Sequence, residues 1–365
     1  MAAPRQSLLD VPASRRRLFA GTDQPARLSF EFDNIRDGPH EISIITTDIL
    51  RLPFCVLTRF ARHDTADLPK ILVVPPLSCH FPILLRDFIL GLLPNHEVFL
   101  ADWINARHIA AEIGPFDLDG NVDHILTLMR ALSPDLNVIG FCQAGVPTLM
   151  ACACASQEGL APRRIVLVAA PIDVMANPTR VSRLILDRGL EWYETHTIIS
   201  LPEGEPGFGR RVYPGSLQWL GLWAYLARHV SEGRELLRKL VADDGSDAVR
   251  FPFLDLYSAL MDIPAELFLD VMRFVYHERI LLRGAFPFQG RDVSLGTITA
   301  PLMTLEGADD DIAAPGQTSA AHALCPSIAD HLRTQRIIPH CGHFSLFHGE
   351  PCRRVALPAV REFLV

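Results

Sequence analysis

The stretch LNVIGFCQAGVPTLMACACA, Leu136 to Ala155, runs a short apolar segment into Cys142, flanked by Gly140 and Gly145, and on into small and apolar residues. An all-apolar run of five or six residues bounded by glycine fits a strand covered on both faces. The run from Gly145 to Gln157 has the length and composition of a helix, provided that Pro147 falls in its first turn. Strand, glycine-flanked turn and helix together predict a parallel sheet with helical crossovers. They also raise the question of whether Cys142 is a core residue or an exposed thiol on a sharp turn.

Outward from this unit the same alternation recurs. Ile71 to Pro75, Glu97 to Ala101, Asn137 to Phe141, Ile165 to Ala169, Leu302 to Glu306 and Arg336 to Pro339 are short apolar runs of the kind that form buried parallel strands. Before them, Glu41 to Phe60 reads as β-rich. Val122, Ile125, Leu126 and Met129 recur at helical spacing behind Asp117 and Asp119, either of which can cap the helix start. The alternation lapses after Pro171 and resumes near Ala300. The interval 174–296 holds 15 of the 29 aromatics in about a third of the length, so it is expected to be an inserted, mainly helical cap with a core of its own. The expected organisation is a flexible segment 1–40, a core of 41–173 and 297–365, and the cap 174–296.

Composition narrows the function. A chain of 365 residues with 49% hydrophobic and 21% charged residues has ample core, and its net charge of −8 argues against electrostatic binding of nucleic acid. Eight cysteines without regular spacing suggest reduced thiols rather than a disulfide framework. Cys152 and Cys154 point in different directions on a helix, so they read as small core residues, and neither a metal nor a cofactor is expected. Ser14 to Gly21 (SRRRLFAG) looks like a twin-arginine export signal but lacks the apolar stretch that should follow, and no run is long enough to span a bilayer.

Ligands of open parallel sheets bind beyond the carboxyl ends of the strands, and three strand ends here carry chemistry. Gly140-Phe141-Cys142-Gln143-Ala144-Gly145 has the form of a nucleophile turn, in which small neighbours permit a sharp bend and the following N–H, that of Gln143, faces a developing oxyanion. The helix N-terminus beyond it favours a thiolate. Cys341-Gly342-His343-Phe344 places a histidine after the last strand, and Glu306 to Pro315 carries Asp309, Asp310 and Asp311, of which Asp310 is favoured and Asp311 is the alternative counted back from Pro315. The order Cys142, Asp310, His343 is that of nucleophile, acid and base in the α/β-hydrolase fold. Pro75 to His80, after the first of the parallel strands, offers Ser78 or Cys79 as the second oxyanion donor.

With VVPPLSCHFPILLRDFI, HEVFLADWINAR, GPFDLDGNVDHI, VIGFCQAGVPTL, LEGADDDIAAPGQTSAAHALC and HCGHFSLFHG in order, the chain resembles the intracellular polyhydroxyalkanoate depolymerases from about Leu68 to Gly349, and the polyhydroxyalkanoate synthases more distantly. Cys79 stands where that family's S-G-H-F motif has glycine. The resemblance implies a cysteine nucleophile at Cys142 with Asp310 and His343 as partners. It further implies hydrolysis of poly(3-hydroxybutyrate), the polymer granule as partner, and a cytoplasmic location at the granule surface. A synthase-like transfer from hydroxyacyl-CoA is the alternative.

Overall fold

A computed structural model gives the fold and describes residues 34–37, 40–64, 67–77, 82–231 and 260–365. The first 33 residues, and with them most of the expected flexible segment, lie outside the described residues, as do Ser78 and Cys79.

The chain opens with three antiparallel strands, β1 (Asn34–Asp37), β2 (His40–Arg51) and β3 (Cys55–Arg62). Crossovers then begin: β4 (Lys70–Val74), α1 (Arg86–Leu92), β5 (Glu97–Trp103), α2 (Leu118–Leu132), β6 (Leu136–Phe141), α3 (Gly145–Gln157) and β7 (Arg164–Val168). Between β7 and the next strand of this sheet come α4 (Arg180–Leu186), α5 (Leu190–Thr197), β8 (Ile199–Ser200), β9 (Arg211–Tyr213), α6 (Gly215–Ser231), β10 (Ile263–Pro264), α7 (Ala265–Asp270), a π-helical turn at Val271–His277, β11 (Ala285–Phe288) and β12 (Arg291–Ser294). The chain returns as β13 (Leu302–Gly307), α8 (Ala321–Leu324), β14 (Arg333–Ile338) and α9 (Leu357–Leu364).

Among the described residues nine strands form one sheet in the order β1-β2-β3-β5-β4-β6-β7-β13-β14. From β5 to β14 all neighbours are parallel. The protein therefore has the α/β-hydrolase fold, a mostly parallel sheet flanked by helices. The chain steps from β4 to β5 on one side and to β6 on the other, so the strand order reverses at β4 and a crevice opens beyond its carboxyl end and that of β6.

Local sequence explains the elements around that crevice. Asp117 caps α2, its side chain accepting from Gly120 N at 2.8 Å, while Val122, Ile125, Leu126 and Met129 are buried against the sheet. Every residue of α3 from Gly145 to Ala155 is buried, so the helix is apolar on all faces and uses Ala, Cys and Gly to let its neighbours approach. Cys152 and Cys154 are core residues of this helix, as the sequence suggested.

The last parallel strand departs from expectation. It starts at Arg333 rather than Arg336, ends at Ile338, and Thr334 to Ile337 are not buried. As the sheet's edge, β14 is covered on one side only, which an apolar core strand would not tolerate. Many aromatics of the segment between β7 and β13 form local packing: Tyr213 stacks on Phe268 with ring centroids 4.1 Å apart, and Tyr193 lies edge-on to Phe268 at 5.9 Å. Later parts of this segment run down the flank of α2 and α3. Gln289 N donates to Asp119 at 3.1 Å, and Thr297 Oγ1 donates to Ala153 O near the far end of α3 at 3.1 Å.

Candidate active site

The turn after β6 is built by two close approaches. A Cβ on Gly140 would lie 2.8 Å from Thr148 Oγ1, and one on Gly145 would lie 2.3 Å from Ala170 Cβ, so only hydrogen fits at either place. Between them Cys142 takes φ = +49°, a left-handed conformation uncommon for any residue but glycine. The bend throws its side chain out of the strand, where it is partly exposed, and a helical turn begins at once with Gln143.

Two loops from the carboxyl ends of β13 and β14 meet this turn. His343 Nε2 lies 3.2 Å from Cys142 Sγ, and His343 Nδ1 lies 2.7 Å from Asp310 Oδ2. The other carboxylate oxygen of Asp310 accepts from the N–H groups of Ile312 and Ala313, each at 2.8 Å, so the acid is fixed before it meets the imidazole. Its neighbours point elsewhere: Asp309 is exposed, and Asp311 accepts from Tyr225 Oη at 2.6 Å. Three of the residues singled out in the sequence thus come together, and of the three aspartates it is Asp310 that reaches the histidine.

His343 is buried among Phe344 and Phe347, whose rings stand edge-on to it at 5.4 and 4.9 Å. Burial by itself disfavours the charged ring. The charges of Asp310 and Cys142 and the hydrogen bonds to both outweigh it and hold the imidazole pKa well above its ordinary value. Four other thiols are shifted chiefly by burial: Cys154 is pushed up to about 11 and Cys325 to about 12, and Cys55 and Cys152 are raised still further. Among the described residues no cluster of His, Cys, Asp and Glu has the makings of a metal site.

Sequence reasoning overlooked the clamp that shapes the acid loop. Glu306, fully buried at the end of β13, accepts through Oε1 from the N–H groups of Gly316, Thr318 and Ser319 at 2.8, 2.9 and 3.1 Å. Gln317 Nε2 then ties the loop to Asn177 O at 2.8 Å. A glutamate closing an otherwise apolar strand was the available signal, because an ionised carboxylate is buried only where donors converge on it.

Residues 169–365 match the family described as PHB de-polymerase C-terminus. The chain belongs to that family. Its matched region includes Asp310 and His343 and begins after Cys142, and membership makes the chain an ester hydrolase. No curated protein matches the sequence. Among solved structures, a hydrolase from Pseudomonas aeruginosa PA01 is 15% identical with a TM-score of 0.52, over 88% of this chain and 98% of that one. The monoacylglycerol lipase of Paleococcus ferrophilus is also 15% identical, with a TM-score of 0.50 over 85% of this chain and 98% of its own. At such identity these structures speak for the fold alone. Among the described residues no helix is long and apolar enough to cross a membrane.

Proposed function

We propose that the protein is a polyhydroxyalkanoate depolymerase that cleaves poly(3-hydroxybutyrate) through a Cys142–His343–Asp310 triad and a thioester intermediate. The observation that carries this reading is the continuous contact from Asp310 through His343 to Cys142, at 2.7 and 3.2 Å, with the cysteine on a left-handed turn at the strand end. Family membership supports the polyester as substrate.

In the first half-reaction His343 takes the proton of Cys142, and the sulfur attacks the ester carbonyl. Asp310 holds the ring and stabilises its charged form. The oxyanion rests on the N–H of Gln143, with the Ser78/Cys79 loop proposed as second donor. His343 protonates the departing hydroxyl, then activates the water that cleaves the thioester and releases a hydroxyacid or shorter chain. In this reading the chain divides into a core, 41–173 and 297–365, and a cap, 174–296, and it works at the granule surface in the cytoplasm without cofactor or metal.

Incubation with native amorphous granules tests the proposal. Soluble 3-hydroxybutyrate or its oligomers are expected. Polymer growth and CoA release from 3-hydroxybutyryl-CoA, with no soluble hydroxyacid, would overturn it in favour of acyl transfer.

A further inference from the structure

Helix α6, in the segment between β7 and β13, runs toward the acid loop. Its start is tied to the residues just before β10: Gly215 N donates to Asp262 Oδ1 and Gln218 Nε2 to Met261 O, each at 2.8 Å. From Gly215 to Tyr225 the helix rises about 15 Å. There the Tyr225 hydroxyl donates to Asp311 Oδ1 at 2.6 Å, the length of a hydrogen bond to an ionised carboxylate. The ring of Tyr225 stands edge-on to Phe344 with centroids 6.2 Å apart, and Phe344 is itself edge-on to the imidazole of His343.

Asp311 lies at the apex of the bend that presents Asp310. Asp310 Oδ1 accepts from the N–H groups of Ile312 and Ala313, so the carboxylate facing His343 is held by a turn that passes through residue 311. Both sides of the bend are anchored, since Asp309 N donates to Cys341 O at 3.0 Å and Thr179 Oγ1 to Ile312 O at 3.3 Å. Tyr225 ties the apex between them. It also settles a competition: two neighbouring carboxylates near one imidazole are rivals for it, and the phenol gives that of Asp311 a partner on α6 instead. A phenylalanine at 225 would keep the packing on Phe344 and do neither.

We infer that Tyr225 is a positioning residue for the hydrolysis: by holding Asp311, its hydroxyl fixes the turn that aims Asp310 at His343. A helix from outside the parallel sheet and its crossovers thereby takes part in aligning the catalytic pair. The inference rests on the triad reading and adds to it a residue that touches no reacting atom.

The test measures kcat and KM on p-nitrophenyl butyrate and on a soluble 3-hydroxybutyrate trimer for wild type, Tyr225→Phe, Asp311→Ala, Asp311→Asn and the double variant Tyr225→Phe/Asp311→Ala. Tyr225→Phe and Asp311→Ala are each expected to lose about tenfold in kcat on both substrates, with KM within about twofold, as for one lost charge-assisted hydrogen bond. The double variant is expected to fall no further than either single one, because both remove the same contact. Asp311→Asn keeps an acceptor for the hydroxyl and is expected to recover most of what Asp311→Ala loses. A lower melting temperature with kcat unchanged, as a merely structural anchor would give, overturns the inference. So do losses that multiply in the double variant or that reside in KM. A wild type inactive on both esters, or one whose turnover survives Cys142→Ala, overturns the triad reading and the inference with it.

Discussion

Cys142 and Cys152 belong to one strand-turn-helix unit, and they show how little residue type says about reactivity. Cys152 lies within α3, wholly buried, where burial first, and then the neighbouring Cys325 and Cys154, push its pKa up, beyond the already raised value of about 11 of Cys154. Cys142 sits one turn earlier in the fold's logic, at the strand end, in a left-handed conformation that leaves the sulfur partly exposed and 3.2 Å from an imidazole. Reactive thiols are those with a cationic or basic partner and access. Here the partner is supplied by a loop 201 residues further along the chain.

The widest separation between the two regions is expected in turnover. Cys142→Ala should lower ester hydrolysis by at least about a thousandfold without changing the melting temperature, whereas Cys152→Ala should leave kcat within about twofold. Initial-rate measurements on amorphous polymer decide it, and equal activity of Cys142→Ala and wild type would remove the thiol from the mechanism.

Asp310→Asn should follow, with a loss of about a hundred- to ten-thousandfold in kcat through a misoriented histidine. Asp309→Asn, at an exposed position, should change kcat by less than about threefold. If the two variants fell together, the single contact to His343 Nδ1 would not be what sets the acid apart.

Stability gives the next effect. Gly145→Ala forces a methyl to within 2.3 Å of Ala170 Cβ, which should cost about 1–3 kcal/mol and tilt the turn under Cys142. Chemical denaturation measures the first consequence and the rate of alkylation of Cys142 the second, with Cys152 in the native protein as the unreactive control.

The smallest effect is a slope with pH. The folded pKa of His343 is raised, so the folded state holds the proton more tightly than the unfolded chain. That stabilisation is present in full below the ordinary imidazole value of 6.5 and is lost as pH rises through the raised folded value. The difference in unfolding free energy between wild type and His343→Gln should therefore shrink above neutral pH. A difference independent of pH from 6 to about 10 would mean that no charged imidazole is held between Asp310 and Cys142.

Much of this site was legible because its parts are local. Parallel strands covered on both faces must be apolar throughout, so β4, β6, β7 and β13 stand out, and glycines at 140 and 145 announce a turn that excludes a Cβ. The edge strand β14 was misplaced by three residues at its start because exposure on one side admits Arg, Thr and Gln into it. Asp310 was favoured over Asp311 by the count from Gly307 and the Asp-x-Ile pattern, whereas the count back from Pro315 pointed to Asp311. What separates them is which carboxylate faces His343 and which faces Tyr225, a matter of loop shape fixed by the donors gathered on Glu306.

By itself the sequence determined the fold class, the three segments that carry Cys142, Asp310 and His343, and the burial of Cys152 and Cys154, since each follows from residue size, polarity and period along a short stretch. Tertiary structure alone decided the 2.7 and 3.2 Å contacts of His343 and the clamp at Glu306. These depend on segments far apart in the chain, and their mutual placement is set by the packing of the whole sheet and its helices rather than by any local preference.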